Sequence, residues 1–452
     1  TFSSVTEYSF QSYTTADGQS RLEFWRDRGC CSRVVGKTGS SVDREKHERV
    51  REFIDRRWDD TTRRVEAEDG SRRLWLPKPF TVPCADDRFQ ELYYWDTYFA
   101  HLGLLRAGRV EQAKNNVDNF LYEVATHGFV LNSNATYHLN RSQPPYLALM
   151  VRDIYETTGD LDWVRDRLEG LEAEYQFWMT ERLSESGLNR YYHRAGDEEK
   201  LDFYDSVLVR RIGFEGTDDE TKRAVSDQYI AEAESGWDFT PRFDGQCADC
   251  NPVDLNSLLA IYENIFCFFA EKTSWSDPHR WEDAWSRRRR LMDQLLWDGT
   301  RYGDYNYRSG DTTGVLSAAA LFPLWAGLAT NDQASAMVSS LQELDAPHGV
   351  AACESRIDAP AFQWGHPNGW PPLQFAVCRA LVRYGYADRA RHIAGKYLDL
   401  VTTTFDTTGE LWEKYDVVEG GPASGEYEAT RMMGWTAGVF SALFDLVWND
   451  EL

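Results

Sequence analysis

The dominant feature of this sequence is a run of about twelve segments of helical length, joined by short connections, that begins near residue 43 and continues to the C-terminus. The first segment places Val50, Ile54 and Trp58 on one stripe at helical spacing, with Phe53 beside them. Among the later segments, residues 161–183 and 314–329 are each expected to form one helix. Several segments end in a glycine, which is a common helix stop. Packed antiparallel, such helices can close into a ring of six inner and six outer helices. We therefore predict an all-α domain over residues 43–452, preceded by a short irregular arm over residues 1–42.

Motifs and charge exclude several classes of function. The chain has no GxGxxG and no GxxxxGK[ST] motif, so we do not expect a nucleotide-binding fold. Its formal net charge of −24 would repel the phosphates of nucleic acid and suits a neutral substrate. No apolar run approaches the roughly 18 residues of a membrane span, so no membrane partner is predicted.

The eight cysteines do not form a regular disulfide framework. Cys247 and Cys250 make one CxxC, and the sequence has no second CxxC or paired histidines to complete a tetrahedral zinc site. His366, far along the chain, is the only further candidate ligand. We therefore predict no metal. Reduced thiols favour a cytoplasmic protein, but the chain begins at Thr1, so a processed secreted or periplasmic form is the alternative.

The longer connections should line a pit at one end of the ring, because loops carry site residues while helices fix their positions. They mix carboxylates, Arg, Asn and Trp with Gly and Pro, and they are the opening stretch and residues 84–96, 128–145, 361–372 and 411–428. The 17 Trp and 23 Tyr supply flat faces on which sugar rings can stack, the alternative being an aromatic-rich core.

This mixture is what hydrolysis of a glycosidic bond requires. One carboxylic acid must protonate the leaving oxygen, and a second carboxylate must activate water or attack the anomeric carbon. Arg, Asn and Gln bind sugar hydroxyls, and Trp stacks on the apolar face of the ring. From the residues alone, inversion and retention both stay open.

Seven motifs, in order, resemble those of the α,α-trehalase family, and the resemblance runs from about residue 50 to 448. They are RFQELYYWDTYF, NRSQPP, ESGWDFTPRF, PVDLNSLL, QWGHPNGWPP, EKYD and GEYE followed by GWTAGV. The resemblance implies an (α/α)6 barrel, hydrolysis of α,α-trehalose to two glucose with inversion at the anomeric carbon, a small neutral sugar as partner and no cofactor.

The resemblance also assigns residues to roles. The general acid would be Asp238 of ESGWDF, and the base that activates water would be Glu413 of EKYD. The residues implied to bind substrate are Arg88, Trp95, Asp96, Asn132, Arg141, Ser142, Gln143, Gly236, Trp364, Trp370 and Glu426.

Each catalytic assignment has a structural alternative. Trp237 and Phe239 flank Asp238 with apolar rings that would favour its protonated form, but a loop acid could equally cap a helix or pair with Arg242. Glu413 could be a solvated surface acid, whereas an inward-pointing Lys414 would favour its ionised form. Among the other candidates, arginines could form structural salt bridges, Asp96 could merely orient Arg88, and tryptophans could be core residues.

The chain departs from the family pattern in several places. The most important is the absence of a sugar-binding Arg-Pro-Glu-Ser segment, in whose place residues 190–206 offer Arg194 with Glu198 or Glu199 as substitutes. Acids precede the RF motif where the family carries Gly-Gly, and Gly365-His366 replaces Asp-Tyr.

These departures leave three hypotheses. The first is an inverting trehalase. The second is a related inverting α-glycosidase that acts on another α-glucoside, such as glucosylglycerate. The third is a catalytically silent sugar-binding protein, which the presence of both carboxylates argues against. A phosphorylase is less expected, because phosphate as the nucleophile would make the base unnecessary.

Overall fold

The computed structural model of the chain describes residues 8–14, 20–26, 41–65, 72–86, 88–356 and 362–452. At the N-terminus, strands β1 (Tyr8–Thr14) and β2 (Ser20–Arg26) form an antiparallel hairpin. The rest of the arm predicted over residues 1–42 lies outside the described residues, apart from the start of the first helix, so the division into arm and domain stays a prediction.

Helices make up most of the described chain. In order they are α1 (Ser41–Arg57), α2 (Tyr94–Arg106), α3 (Val110–His127), α4 (Leu147–Thr158), α5 (Leu161–Arg165), α6 (Leu168–Glu181), α7 (Asp197–Phe203), α8 (Val209–Arg211), α9 (Asp219–Glu234), α10 (Val253–Thr273), α11 (Pro278–Leu295), α12 (Phe322–Ala326), α13 (Asn331–Ser340), α14 (Pro371–Arg383), α15 (Ala387–Thr408) and α16 (Gly434–Trp448).

Six of these helices form a closed inner ring. In the order α2, α4, α10, α12, α14 and α16 each contacts the next, and α16 returns to α2. The helices that alternate with them along the chain, namely α1, α3, α6, α11, α13 and α15, form the outer layer, with pairs such as α10–α11 and α14–α15 in contact. The predicted all-α (α/α)6 barrel is therefore confirmed.

Two glycines allow the ring to close. Gly103 of α2 and Gly438 of α16 face each other, and a Cβ built on Gly438 would overlap the carbonyl oxygen of Phe99. Because neither glycine has a side chain, the two helix backbones approach more closely than a larger residue would allow. The α2–α16 pair fixes the relative position of the segments that precede the two helices.

Local signals explain several helix ends. Gly128 follows α3 and Gly159 follows α4, and both adopt the left-handed conformation that ends a helix. Thr330 and Gln333 form a reciprocal capping box at the start of α13. These contacts lie within a few residues of one another, which is why the sequence indicated so many of the boundaries.

Two helices expected from the sequence were wrong, and one helical region was not expected. Residues 314–329 form only the short α12 after a 3-10 turn. Residues 161–183, which were expected to form one helix, divide into α5 and α6. Between α6 and α10 the chain also makes an unexpected helical excursion, residues 197–234, comprising α7, a π-helical turn, α8 and α9. The excursion has a small hydrophobic core of its own, built around Tyr204, Leu208, Tyr229 and Phe239.

Helix α10 is apolar enough and long enough, by composition, to cross a membrane, with a mean hydropathy of 1.3 over its most apolar window. The expectation that no apolar run approaches that length is corrected here. The whole window is buried within the protein, as expected for one of the six inner helices of the barrel.

The remaining strands in the described residues have two residues each and fasten connections to one another. They are β3 (Thr62–Arg63), β4 (Phe80–Thr81), β5 (Cys250–Asn251), β6 (Tyr305–Asn306), β7 (Asp311–Thr312), β8 (Asp345–Ala346), β9 (Gly349–Val350), β10 (Asn368–Gly369) and β11 (Tyr415–Asp416). The pairing of β10 with β11 joins the connection at residues 361–372 to the one at 411–428, so these two predicted site segments lie side by side.

Candidate active site

A cavity of about 380 Å³ gathers residues from the connections that the sequence singled out. The volume lies within the roughly 300–1,000 Å³ that small-molecule sites occupy. Its lining combines carboxylates and arginines with aromatic rings and amides. The lining side chains include Trp95, Asp96, Asn132, Arg141, Gln143, Arg211, Asp238, Gln363, Trp364, Trp370, Glu413, Tyr427 and Trp435.

Gly236 shapes the turn that brings Asp238 to the cavity. Its φ of +77° is in the left-handed region, and a Cβ at this position would lie 2.8 Å from the ring of Trp95. A glycine satisfies both requirements, the backbone conformation and the close approach of the indole. The turn therefore depends on Gly236, and it places the half-exposed carboxylate of Asp238 in the cavity.

Asp238 pairs with an arginine that the sequence did not indicate. Arg211 of α8 donates from one nitrogen to the Asp238 carboxylate at 2.8 Å and from another to the Asp238 carbonyl at 2.7 Å. It also donates to Glu426 at 3.0 Å, and its guanidinium lies 4.6 Å from the centre of the Phe239 ring. The purely apolar surroundings expected for Asp238 are corrected, because a charged guanidinium lies directly against the carboxylate.

The alternative pairing of Asp238 with Arg242 is wrong. Arg242 is fully buried and makes bidentate ion pairs with Asp254 and Asp304 at 2.6–3.0 Å. These contacts hold the start of α10, since Asp304 also accepts the backbone N–H of Val253. Arg242 is thus a structural residue behind the cavity.

Arg194, suggested as the substitute for the missing sugar-binding arginine, is not among the cavity residues. Its guanidinium is paired with Glu181 and lies over the ring of Phe129. Glu199 caps α7 by accepting the backbone N–H of Gly196, and Glu198 lies on the exposed side of the same helix. The helical excursion supplies Arg211 to the cavity instead.

Glu413 is buried and held by hydrogen bonds on both sides. Its carboxylate accepts the Tyr427 hydroxyl at 2.8 Å, and its backbone is fixed by the Trp435 indole and by the carbonyl of Thr430. Burial raises the pKa of Glu413, while the Lys414 ammonium opposes the rise. The alternative of a solvated surface acid is therefore wrong, since Glu413 is only 3 % exposed.

The connection at residues 128–145 is anchored by a buried ion pair. Arg182 and Glu234 make two contacts of 2.8 Å, and Glu234 also accepts the backbone N–H of Ser142. Asn132 donates to the Ser142 carbonyl, so the loop is braced against itself. Gln143 accepts the backbone N–H of Trp95 at 3.1 Å, which ties this loop to the start of α2.

Tryptophans form one wall of the cavity. Trp364 and Trp370 stack with parallel rings 3.8 Å apart, and Trp95 and Trp237 lie within 5.3 Å of Trp364. Trp435 meets Trp370 edge-on. Packed in this way, the rings are rigid and present a fixed surface to a bound molecule.

Asp96 and Arg141 are ionisable residues at buried positions in the cavity. Burial raises the pKa of Asp96 to about 8, and the charges of Glu413 and Asp238 add to the rise, so Asp96 is mostly protonated at neutral pH and can donate a hydrogen bond. Arg141 donates to Asn140, and its Nε has no hydrogen-bond partner within the described part of the chain.

The structure brings together ten of the residues assigned from the sequence. They are Trp95, Asp96, Asn132, Arg141, Gln143, Gly236, Asp238, Trp364, Trp370 and Glu413. Arg88, Ser142, Arg194 and Glu426 do not line the cavity. Arg88 donates to Thr430, so Asp96 does not orient it, and Ser142 donates to the carbonyl of Val130, whereas Glu426 reaches the site through Arg211.

The residues that sequence reasoning missed are Arg211, Gln363, Tyr427 and Trp435. Gln363, Tyr427 and Trp435 lie inside quoted motifs, so their neighbours were a signal that could have found them. Arg211 lies in no motif, and nothing in its local sequence marks it.

The CxxC contributes no ligands to the cavity. Cys247 and Cys250 are buried, and burial raises the pKa of both thiols well above the ordinary range. They do not cluster with His366 or with other potential ligands anywhere in the described ranges, where the single group with ligand spacing is Cys267 and Glu271 of α10 with Glu282 of α11.

Chemically, the cavity offers two carboxylates from different segments, each with its own surroundings. Asp238 is half-exposed and hydrogen-bonded to a guanidinium, whereas Glu413 is buried beside an ammonium and a tyrosine hydroxyl. Amides, arginines and a protonated Asp96 supply donors for hydroxyl groups. Such an arrangement suits general acid–base cleavage of a sugar acetal.

Comparison with known proteins agrees with this geometry. The family model for trehalases matches residues 16–447 of the chain. The periplasmic trehalase of Escherichia coli O6:H1 is 33% identical over 437 residues, which cover 89% of this chain and 75% of that protein, and the periplasmic trehalase of Shigella flexneri gives the same values.

Solved structures share the fold. The neutral trehalase of Saccharomyces cerevisiae superimposes with a TM-score of 0.70 at 28% identity, covering 88% of this chain and 80% of that chain. A mannosylglycerate hydrolase of Thermus thermophilus, solved in complex with glucose, gives a TM-score of 0.59 at 18% identity over 90% of this chain and 99% of its own, a likeness of fold alone.

Proposed function

The chain belongs to the trehalase family of glycoside hydrolases, and we propose that it hydrolyses α,α-trehalose to two molecules of glucose with inversion at the attacked anomeric carbon. The resemblance found in the sequence motifs is thereby confirmed. The observation that carries the proposal is the meeting of Asp238 and Glu413, from segments 175 residues apart (413 − 238), in one aromatic cavity.

In the proposed reaction, Asp238 donates its proton to the glycosidic oxygen as the bond to the anomeric carbon breaks. Glu413 takes a proton from a water molecule, and the resulting hydroxide equivalent forms the new bond on the opposite face of the sugar. One glucose leaves with the proton from Asp238 and the other carries the hydroxyl from water. The two carboxyl groups then exchange protons with solvent to restore the starting state.

The other cavity residues bind and orient the disaccharide. We assign donors to the sugar hydroxyls from Asn132, Arg141 and Gln143 on one side and from Arg211 on the other. Asp96, neutral at physiological pH, adds a further donor, and the tryptophan wall covers the apolar face of a glucose ring.

The test is release of glucose from trehalose by the wild type and by Asp238→Asn and Glu413→Gln. We expect each substitution to lower kcat by roughly 10³-fold, since each removes a proton-transferring group. Asp244→Asn and Glu419→Gln, which change exposed acids close in sequence to the two candidates, are the matched controls and should retain activity. Full activity of Asp238→Asn or Glu413→Gln would refute the assigned role.

A second candidate is hydrolysis of another α-glucoside with a negatively charged aglycone, such as glucosylglycerate. Two arginines, Arg141 and Arg211, line the cavity and favour it. A panel of neutral and anionic α-glucosides distinguishes the candidates, because a higher kcat/KM for an anionic substrate than for trehalose would make trehalose the secondary substrate. A silent sugar-binding protein would bind sugars in the same panel without releasing glucose.

The cytoplasmic compartment stays a prediction. The similarity to proteins named periplasmic trehalases supports the exported alternative. Fractionation of source cells, with the hydrolase activity followed in each fraction, separates the two.

A further inference from the structure

We infer that Lys414 is a positioning residue that couples the two catalytic carboxylates, holding the main chain of Asp238 through Gln363 and keeping the neighbouring Glu413 in its reactive form through its charge. The inference rests on the proposed function. It adds a residue that lies behind the cavity and does not line it.

The side chain of Lys414 is completely buried. Its ammonium donates to Gln363 Oε1 at 3.0 Å and to the Tyr427 carbonyl at 3.4 Å, and it lies 3.9 Å from the centre of the Tyr427 ring and 5.3 Å from that of Trp370. A buried ammonium is costly compared with an apolar side chain of the same shape. Its placement beside two catalytic segments therefore calls for a role that a hydrocarbon could not fill.

Lys414 determines which way the amide of Gln363 points. An ammonium can only donate, so Gln363 must present Oε1 to it and turn Nε2 toward the carbonyl of Asp238, which accepts this hydrogen bond. Arg211 donates to the same carbonyl, and Glu426 accepts from both Arg211 and the backbone N–H of Gln363. Lys414 is thus the first member of a bonded chain that ends on the backbone of the general acid.

On the other side, Lys414 adjoins the base in sequence and its charge acts on the base directly. Burial raises the pKa of Glu413, and the Lys414 ammonium is the largest influence that lowers it. The titratable and charged groups that face Glu413 or Lys414 from the surrounding elements are Cys84, Asp96, Arg211, Asp238, Glu426 and Tyr427. Among them the Asp238 carboxylate adds to the rise in the pKa of Glu413, whereas the Lys414 ammonium opposes that rise.

The charge is tested by the pH profile of kcat/KM for trehalose. We expect Lys414→Met to shift the acid limb of this profile upward by about one pH unit, because Glu413 in the free enzyme then loses the positive charge of Lys414. Lys414→Arg keeps the charge and should leave the limb in place. Lys396→Met is the matched control, since Lys396 is also a largely buried lysine that binds a carboxylate and a carbonyl, at Asp345 and Ala346.

The hydrogen-bonded path from Lys414 through Gln363 to the Asp238 carbonyl is tested by Gln363→Leu, which breaks this path and keeps the Lys414 ammonium. We expect kcat to fall about tenfold with little change in KM, because a misaligned acid affects the chemical step more than binding. The acid limb should not move. Lys414→Met should lower kcat similarly, and the double variant should be no worse than either single one, as expected of two members of one bonded chain.

The inference is overturned if the acid limb of Lys414→Met coincides with that of the wild type, or if the kcat losses of the two substitutions multiply in the double variant. Thermal unfolding of each variant shows whether it is folded. If Lys414→Met does not fold, Lys414→Arg is the second variant. An upward shift of the acid limb in Lys414→Arg would also contradict the inference. Because every comparison is made against an active wild type, failure here leaves the proposed function intact, whereas an inactive wild type refutes the proposed function first.

Discussion

Arg211→Gln is the substitution whose effect the structure specifies most fully. Arg211 bonds the carboxylate and carbonyl of Asp238 and the carboxylate of Glu426, at 2.7–3.0 Å. Glutamine is too short to reach all three acceptors and carries no charge. The substitution therefore releases the general acid from its partner and leaves Glu426, whose side chain is 4 % exposed, without its cation.

The size of the effect follows from these contacts. A hydrogen bond to a charged group stabilises the arrangement that contains it by about 1.5–3 kcal/mol. Arg211 and Asp238 have side chains 27 % and 33 % exposed, so solvent screens their pair and the lower end of that range applies. Two carboxylate contacts then give roughly 3 kcal/mol, which corresponds to a loss of about 10²-fold in kcat/KM.

The assay is steady-state hydrolysis of trehalose by three single variants. Arg210→Gln changes the neighbouring exposed arginine, which donates to the Ser206 carbonyl, and should be close to wild type. Arg194→Gln, at the position that the sequence suggested, should also stay within about threefold because its partner Glu181 lies outside the cavity. A large loss of activity in Arg194→Gln with a small loss in Arg211→Gln would show that Arg211 does not hold the general acid.

Three further predictions concern folding and pH. In Gly236→Ala a methyl group would lie 2.8 Å from the Trp95 ring, on a backbone with a φ of +77°. We therefore expect urea unfolding to show a free energy of unfolding lower by roughly 2 kcal/mol. An unchanged free energy of unfolding would mean that the turn is not constrained. Burial raises the pKa of Glu413, and the base must be ionised, so kcat/KM should fall as the pH decreases through a value above the usual glutamate range; a limb at about pH 4 contradicts this. Burial also raises the pKa of Glu174 from 4.5 to about 7, so the stability that its proton contributes is fully present below pH 4.5 and is lost as the pH rises through 7. The melting temperature of Glu174→Gln should therefore rise relative to that of the wild type between these two pH values. A constant difference in melting temperature would exclude the effect.

The helical ring was predictable because its signals are local. The stripe of Val50, Ile54 and Trp58, and the glycines after α3 and α4, depend on residues within a few positions of one another. The excursion at residues 197–234 was not predicted, because its helices bury their apolar residues against a separate small core and lack a long periodic stripe. The single helix expected over residues 314–329 was wrong for another reason. An alanine-rich apolar run is compatible with a buried irregular segment as well as with a helix.

Within the site, motifs indicated which segments meet but not which side chains pair. Asp238 and Arg242 are neighbours in sequence, yet Arg242 turns away to Asp254 and Asp304. Arg211 is 27 residues from Asp238 and reaches it only because the excursion folds back over the cavity. Pairing of this kind depends on tertiary packing, which the sequence pattern of a single segment does not contain.

We propose above all that the chain cleaves trehalose through Asp238 as acid and Glu413 as base, with inversion. Proton NMR of the first turnovers of the wild type on α,α-trehalose, recorded before the released sugars mutarotate, tests it most directly. We expect α- and β-glucose in equal amounts, because only the attacked anomeric carbon inverts. Release of α-glucose alone would show retention and contradict the assigned roles, and release of no glucose at all would contradict the proposed substrate.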